Sequence, residues 1–250
     1  MLRTAFGKDF LSKQSQDLCN DVLERVSEKK LLAIIDDYDI PTGAHSRGTA
    51  HIMAEIVTSK LFNIEPSRQE SLIRIAALHD FGKLSVSSLI LNTPGRLKPE
   101  DWIQMENHPI DSFHRYALEF GALEALPILL HHTMQLRSYP SREVQEEALS
   151  IHGLPISLLD DKEILTNALL LAIADNLEAR YPVQDFQHKP EGTRIYYHRN
   201  YLLGDLPYLV KASFIEAGVV RKIGLEDILN KIITHFQKII LTNQNKKLNY

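Results

Sequence analysis

The 250 residues carry 28 Lys and Arg against 32 Asp and Glu, a formal net charge of −4 that gives no global attraction to nucleic acid or to an acidic membrane. A single cysteine, Cys19, excludes an internal disulfide framework and any zinc site built on thiolates, so a metal would have to sit on imidazoles and carboxylates. The longest apolar stretch, residues 168–174, is too short to span a bilayer, and MLRTAFGKDF breaks its apolar residues too early for a secretory leader, so a soluble, cytoplasmic protein is expected.

Helical periodicity runs through the whole chain, which predicts an all-α fold. Residues 9–38 read as one or two helices with apolar Leu18, Val22, Val26 and Leu31, closing in the turn-prone DDYDIPTG, so residues 1–40 form an N-terminal helical lead-in. The next helix is predicted over 42–62, where Ala50, Met53, Ala54, Val57 and Leu61 recur at three-and-four spacing and His45 falls in the first turn. Another, over 66–81, carries Leu72, Ile75, Ala76 and His79 on one stripe. Gly82 is placed to end it in the left-handed conformation, with His79 and Asp80 in the last turn.

The loop LNTPGRLKP leads to a short helix through Trp102 and Met105 that is predicted to end at His108-Pro109. Phe113, Tyr116, Ala117 and Phe120 mark the following helix, and LPILLHH begins or continues another that terminates in His131 and His132. Residues 164–181 are apolar almost all round, as in a helix at the centre of a bundle, yet Asp175 sits inside the run. Residues 182–208 turn polar and read as an insertion or lid, with TRIYYH as a short strand. The terminal helix, over 224–242, sets Leu225, Ile228, Ile232, Phe236 and Ile239 on one face, suited to core packing and secondarily to a homodimer seam.

His79, Asp80, His131, His132 and Asp175 all adjoin or interrupt apolar runs, where an unpaired carboxylate costs several kcal/mol and must be bonded, salt-bridged or coordinated. Any one of them alone reads as a satisfied helix-end residue. Taken in order with His45 and His108, each near a helix end or on a central helix, they form a set that a bundle can bring together. Imidazoles and carboxylates without thiolates suit Mn²⁺, Fe²⁺ or Zn²⁺. The two oxygens of Asp80 can bridge two ions; such a pair, roughly 3.5–4 Å apart, holds a hydroxide and clamps an in-line displacement at phosphorus.

These residues also lie in recognisable motifs. PTGAHSRGTAHIMAEIV and ALHDFGKL resemble the first-histidine helix and the His-Asp-x-Gly-Lys motif of the HD superfamily of metal-dependent phosphohydrolases. LILNTPGRLKPEDWIQMENHP follows the pattern of its HD-GYP branch, which hydrolyses cyclic di-GMP, almost position by position into His108. LLHH and AIADNLEAR match the paired histidines and the later aspartate segment. The resemblance implies an HD-domain helical bundle over 41–182, with extra helices before it and residues 183–250 packing on it. It also implies His45, His79, Asp80, His108, His131, His132 and Asp175 as metal ligands, and Asp80 and Lys83 as catalytic, with Lys83 touching a phosphate oxygen or the nucleophile.

Where three-metal relatives carry a glutamate four residues before the first histidine this chain has Pro41, so two divalent ions are expected, iron or manganese before zinc. The Gly-Tyr-Pro signature survives only as Tyr139-Pro140, without its glycines. Arg96, Arg137 and Arg180 are the candidates for phosphate contact. His51, His114, His152, His188 and His235 lack motif support and are read as solvated-face or loop residues. The expected activity is hydrolysis of a small-molecule phosphoester, a nucleotide or a cyclic dinucleotide such as cyclic di-GMP. The alternatives are a di-iron oxygenase on the same fold and a non-catalytic nucleotide-binding regulatory domain.

Overall fold

Side-chain caps set several helix starts in the computed structural model, which describes residues 11–93, 97–135, 137–180, 214 and 218–248. Ser12 accepts from the Ser15 amide and opens α1 (Lys13–Leu23); α2 (Val26–Tyr38) follows. Asp39 accepts from the Thr42 amide and hydroxyl at 3.0 and 2.6 Å, and with Pro41 in the first turn it starts α3 (Ile40–Thr58). Pro66 opens α4 (Pro66–Leu78), which is followed by a 3₁₀ turn, Phe81–Ser85, and the short α5 (Ser88–Leu91). Then come α6 (Pro99–Glu106), α7 (His108–Phe120), α8 (Ala122–Leu130) and α9 (Arg142–Ile151). After a second 3₁₀ turn, Ile156–Asp160, Asp161 accepts from the amides of Glu163 and Ile164 and caps α10 (Lys162–Arg180). The last elements are α11 (Val219–Lys222) and α12 (Glu226–Leu248). No strand occurs among the described residues. The predicted TRIYYH strand, the 182–208 insertion, His188, Arg96 and the side chain of Arg180 lie outside them.

At the centre, α3 packs against α1, α2, α4 and α10, while α8 packs against α4, α7 and α10. As predicted, α10 is buried all round from Ala168 to Ala174, and α3 hides Ile52, Met53, Ile56 and Val57 together, on more than the single face expected. Full burial of each such aliphatic side chain contributes about 1.5–3 kcal/mol. The terminal stripe belongs to the same core: Leu225, Ile232 and Phe236 are buried and Ile228 and Ile239 pack against them. Glu55 on α3 fastens both ends of the chain, accepting from the Ser12 amide (2.9 Å), the Ser15 hydroxyl (2.8 Å) and His235 Nε2 (3.1 Å). No helix among the described residues is long and apolar enough to cross a membrane.

A buried ion pair joins α2, α4, α7 and α8. Arg74 donates to Glu28 at 2.6 Å and to Glu124 at 3.0 Å, and the Tyr116 hydroxyl donates to the same Glu124 oxygen. The Glu28 side chain is 2% exposed, so deleting its cation strands a carboxylate in the core. Arg74→Ala is expected to lower the unfolding free energy by about 3–5 kcal/mol in urea denaturation, and Glu28→Gln in the same chain to recover part of it.

Helix boundaries differ from the sequence expectation where it matters most. The start of α3 at Ile40 puts His45 in the second turn. Because α4 stops at Leu78, His79 is its C-cap and Asp80 leads into the 3₁₀ turn. His108 begins α7 instead of ending α6. Gly82 is not in the left-handed region; it is glycine because a Cβ there would lie 2.1 Å from the His108 carbonyl oxygen and 2.6 Å from the Ser112 nitrogen. Its amide donates to the Ser112 hydroxyl at 2.7 Å, which locks the turn carrying Asp80 onto the helix carrying His108.

Candidate metal centre

Three histidines enter the centre by the same local device. The last carbonyls of a helix have no intrahelical donor. At the ends of α4, α6 and α8 an imidazole fills that role three residues on: Nδ1 of His79 donates to the Ala76 carbonyl (2.8 Å), His108 to Met105 (2.6 Å) and His131 to Ile128 (2.6 Å). A carbonyl only accepts, so each Nδ1 carries the proton and, in a neutral ring, Nε2 presents its lone pair. All three Nε2 atoms are buried without a hydrogen-bond partner among the described residues, as is Nδ1 of His132. Burial disfavours the imidazolium, holding His108 down to about 3 and His131 to about 4, and lowers His79 and His132 as well. The rings are therefore neutral at physiological pH, the state in which imidazole ligates metals.

The rings cluster in the interior, with His131 and His132 centroids 3.9 Å apart. Centroid separations are 5.4 Å from His45 to His79, 5.3 Å to His131, 5.7 Å on to His108 and 5.1 Å from there to His132. Asp80, 1% exposed, lies in the middle with its oxygens facing opposite ways. Oδ2 is 3.6 Å from His45 Nε2, 3.5 Å from His79 Nε2 and 2.5 Å from Lys83 Nζ, whereas Oδ1 is 3.3 Å from His108 Nε2. Burial alone would raise the Asp80 carboxyl, but the positive charge beside it, on Lys83 and on His45, holds it well below the usual carboxylate range. Asp175 is likewise held ionised against burial, chiefly by its hydrogen bond with His45.

His45 differs from the other rings. Nε2 is 3.0 Å from Asp175 Oδ1 and Nδ1 is 2.6 Å from Glu178 Oε2. Burial opposes its charge, yet the two carboxylates overcome it and raise the imidazole to about 10. Metal-binding groups must shed such protons, so uptake of a cation here would release one. Donor atoms of His45, His79 and Asp175, of His79, Asp80 and His131, and of His108, His131 and His132 lie within 4.8 Å of one another in each set. Imidazole nitrogens and carboxylate oxygens without thiolate form a donor set that fits manganese, iron or zinc.

All seven residues expected as ligands thus come together, with Lys83 beside them. Arg137 is differently engaged: its guanidinium donates to Glu106 at 2.9 and 2.6 Å and covers the Trp102 ring at 3.8 Å. Tyr139 stacks on His132 with centroids 4.4 Å apart. Among the histidines expected on solvated faces, His51 is 1% exposed and His235 reaches Glu55, while His114 and His152 pair at 2.9 Å. One participant, Glu178, has no place in the expected set. It lies one helical turn beyond Asp175, but Asn176 and Arg180 flank it on the same helix, and no local feature sets it apart from a surface glutamate.

A model of the HD domain family matches residues 42–180. Three Vibrio cholerae proteins are similar to the chain. A probable cyclic di-GMP phosphodiesterase is 28% identical over 204 residues, 71% of this chain and 42% of the relative. The 3'3'-cGAMP-specific phosphodiesterase 1 is 27% identical over 150 residues, 59% of this chain and 34% of the relative. A cyclic di-GMP phosphodiesterase is 30% identical over 155 residues, 55% of this chain and 31% of the relative. The chain spans less than half the length of these relatives. No solved structure matches it.

Proposed function

The chain belongs to the HD domain family, and on that premise we propose that it is a metal-dependent phosphodiesterase acting on a cyclic dinucleotide. The observation that carries this reading is the set of three buried imidazoles, each tied through Nδ1 to a helix-end carbonyl and each left with an unpartnered Nε2 among the described residues, those of His79 and His108 lying 3.5 and 3.3 Å from the divided oxygens of Asp80. His45, His79, Asp175 and Asp80 Oδ2 would hold one divalent ion; His108, His131, His132 and Asp80 Oδ1 would hold the other. Iron or manganese suits these donors best. When bound, such a pair supplies Lewis-acid stabilisation to the attacking and leaving oxygens of an in-line displacement at phosphorus.

The chain's own groups do the rest. Asp80 keeps the two halves in register and stays ionised. Lys83, its side chain 21% exposed, brings an ammonium to the edge of the centre, where it would neutralise charge building on the phosphoryl oxygens. Tyr139, stacked on His132, offers an aromatic wall beside the centre. Arg137 would contact phosphate only by leaving Glu106, so it ranks below Lys83. The names of the three relatives favour hydrolysis over oxygenase chemistry, and cyclic dinucleotides over mononucleotides.

Incubating the protein loaded with Mn²⁺ or Fe²⁺ with cyclic di-GMP, 3'3'-cGAMP, linear dinucleotides and mononucleotides tests the proposal. Ring opening of at least one cyclic dinucleotide, lost on chelation and restored by metal, is the expected result. Failure to cleave any substrate with both ions bound would overturn it.

A further inference from the structure

Three of the imidazoles lean on neutral partners: His79, His108 and His131 each donate Nδ1–H to a backbone carbonyl. His45 leans on an anion, Glu178, at 2.6 Å. That carboxylate is 1% exposed and comes from α10, one turn beyond Asp175. The opposing helix is shaped to receive it. Gly48 lies one turn beyond His45 on α3, and a Cβ at that position would fall 2.3 Å from Glu178 Oε1 and 2.6 Å from its Cδ. Glycine here provides the room in which the carboxylate reaches the ring.

A carboxylate partner fixes the orientation of a metal-binding imidazole and strengthens it as a donor more than a carbonyl does. Charge is also uneven along the centre: Asp175 lies beside His45 and His79, while Asp80 turns one oxygen toward each half. We propose that Glu178 is a positioning residue that makes the two metal positions unequal. The position formed by His45, His79 and Asp175 fills first and tightly; the one formed by His108, His131 and His132 fills second. This inference rests on the two-metal reading above but not on the identity of the substrate.

The test is calorimetric titration of the metal-free full chain with Mn²⁺, alongside thermal melts without metal. Wild type is expected to take up two ions in two steps at least about tenfold apart. Glu178→Gln keeps an acceptor for Nδ1–H but removes the charge; it should weaken the first step by about 10–100-fold, more than any fall in the metal-free melting temperature accounts for, and leave the second step nearly unchanged. Gly48→Ala, which displaces the same carboxylate from a different helix, should weaken the same step. Equal loss at both steps, or loss only in proportion to a lower metal-free melting temperature, would reduce Glu178 to a structural role and overturn the proposal. So would unchanged affinities in both variants, with hydrolysis by the wild type untouched by that failure. Uptake of two unequal ions by a protein that cleaves no nucleotide would instead remove the phosphodiesterase reading and keep this one. A wild type that binds fewer than two ions would overturn both.

Discussion

Asp80→Asn is expected to lower metal occupancy from two ions to one or none and to depress phosphodiester hydrolysis by more than about 10³-fold, beyond the effect of losing one transition-state hydrogen bond. The reason is its position: one oxygen faces His45, His79 and Lys83 and the other faces His108, so no second carboxylate takes over both contacts. In the absence of metal the variant should be somewhat less stable than wild type. The Asp80 carboxyl is held well below the usual carboxylate range, so above that range its ionised form stabilises the fold, and a neutral amide forfeits this through its contact with Lys83, which is partly exposed and keeps access to water. With metal the gap widens: each ion at a hundred times its Kd adds about 2.7 kcal/mol to wild type, and the variant loses most of that gain. Metal analysis and melts with and without chelator decide the matter. A variant that is equally destabilised with and without metal would make Asp80 a packing residue.

Five of the seven candidate ligand positions are legible in the sequence because His79, Asp80, His131, His132 and Asp175 each adjoin or interrupt an apolar run, Asp175 within Ala168–Leu177 being the clearest case; His45 and His108 stand out only through the motifs that contain them. The ends of elements were less legible, and these govern geometry. Periodicity carries His79 and Asp80 inside α4, but in the fold His79 caps the helix and Asp80 lies beyond it, which turns the carboxylate to face both halves. The constraint on Gly82 is hidden from its local sequence for a related reason. A glycine after a helix suggests a left-handed cap, whereas its actual constraint, contact with the His108 carbonyl and the Ser112 nitrogen, comes from a helix distant in the chain. Glu178 escaped because nothing local distinguishes a glutamate that reaches water from one that reaches His45 on α3. Only Gly48, on that other helix, carries the matching signal.

Lys83→Met should separate catalysis from metal binding, with kcat reduced by about 10²–10³-fold while both ions are retained. In a 3₁₀ turn residues three apart eclipse, so the first turn after the HD pair sets Lys83 directly over Asp80, Nζ to Oδ2 at 2.5 Å. An ammonium so placed acts in two opposing ways. It draws electron density from the bridging carboxylate, which weakens Asp80 as a ligand, and it presents positive charge where phosphoryl charge develops. Removing it while keeping the aliphatic bulk should relieve the first effect and forfeit the second. Metal affinity is then expected to stay level or rise while kcat falls, with KM changing less than kcat because the charge is needed most in the transition state. That pattern is the opposite of Asp80→Asn, in which occupancy and rate fall together. If the methionine variant instead loses metal in step with activity, Lys83 serves chiefly to hold Asp80 in place; if kcat is unchanged, charge on the phosphoryl group is carried by the ions alone.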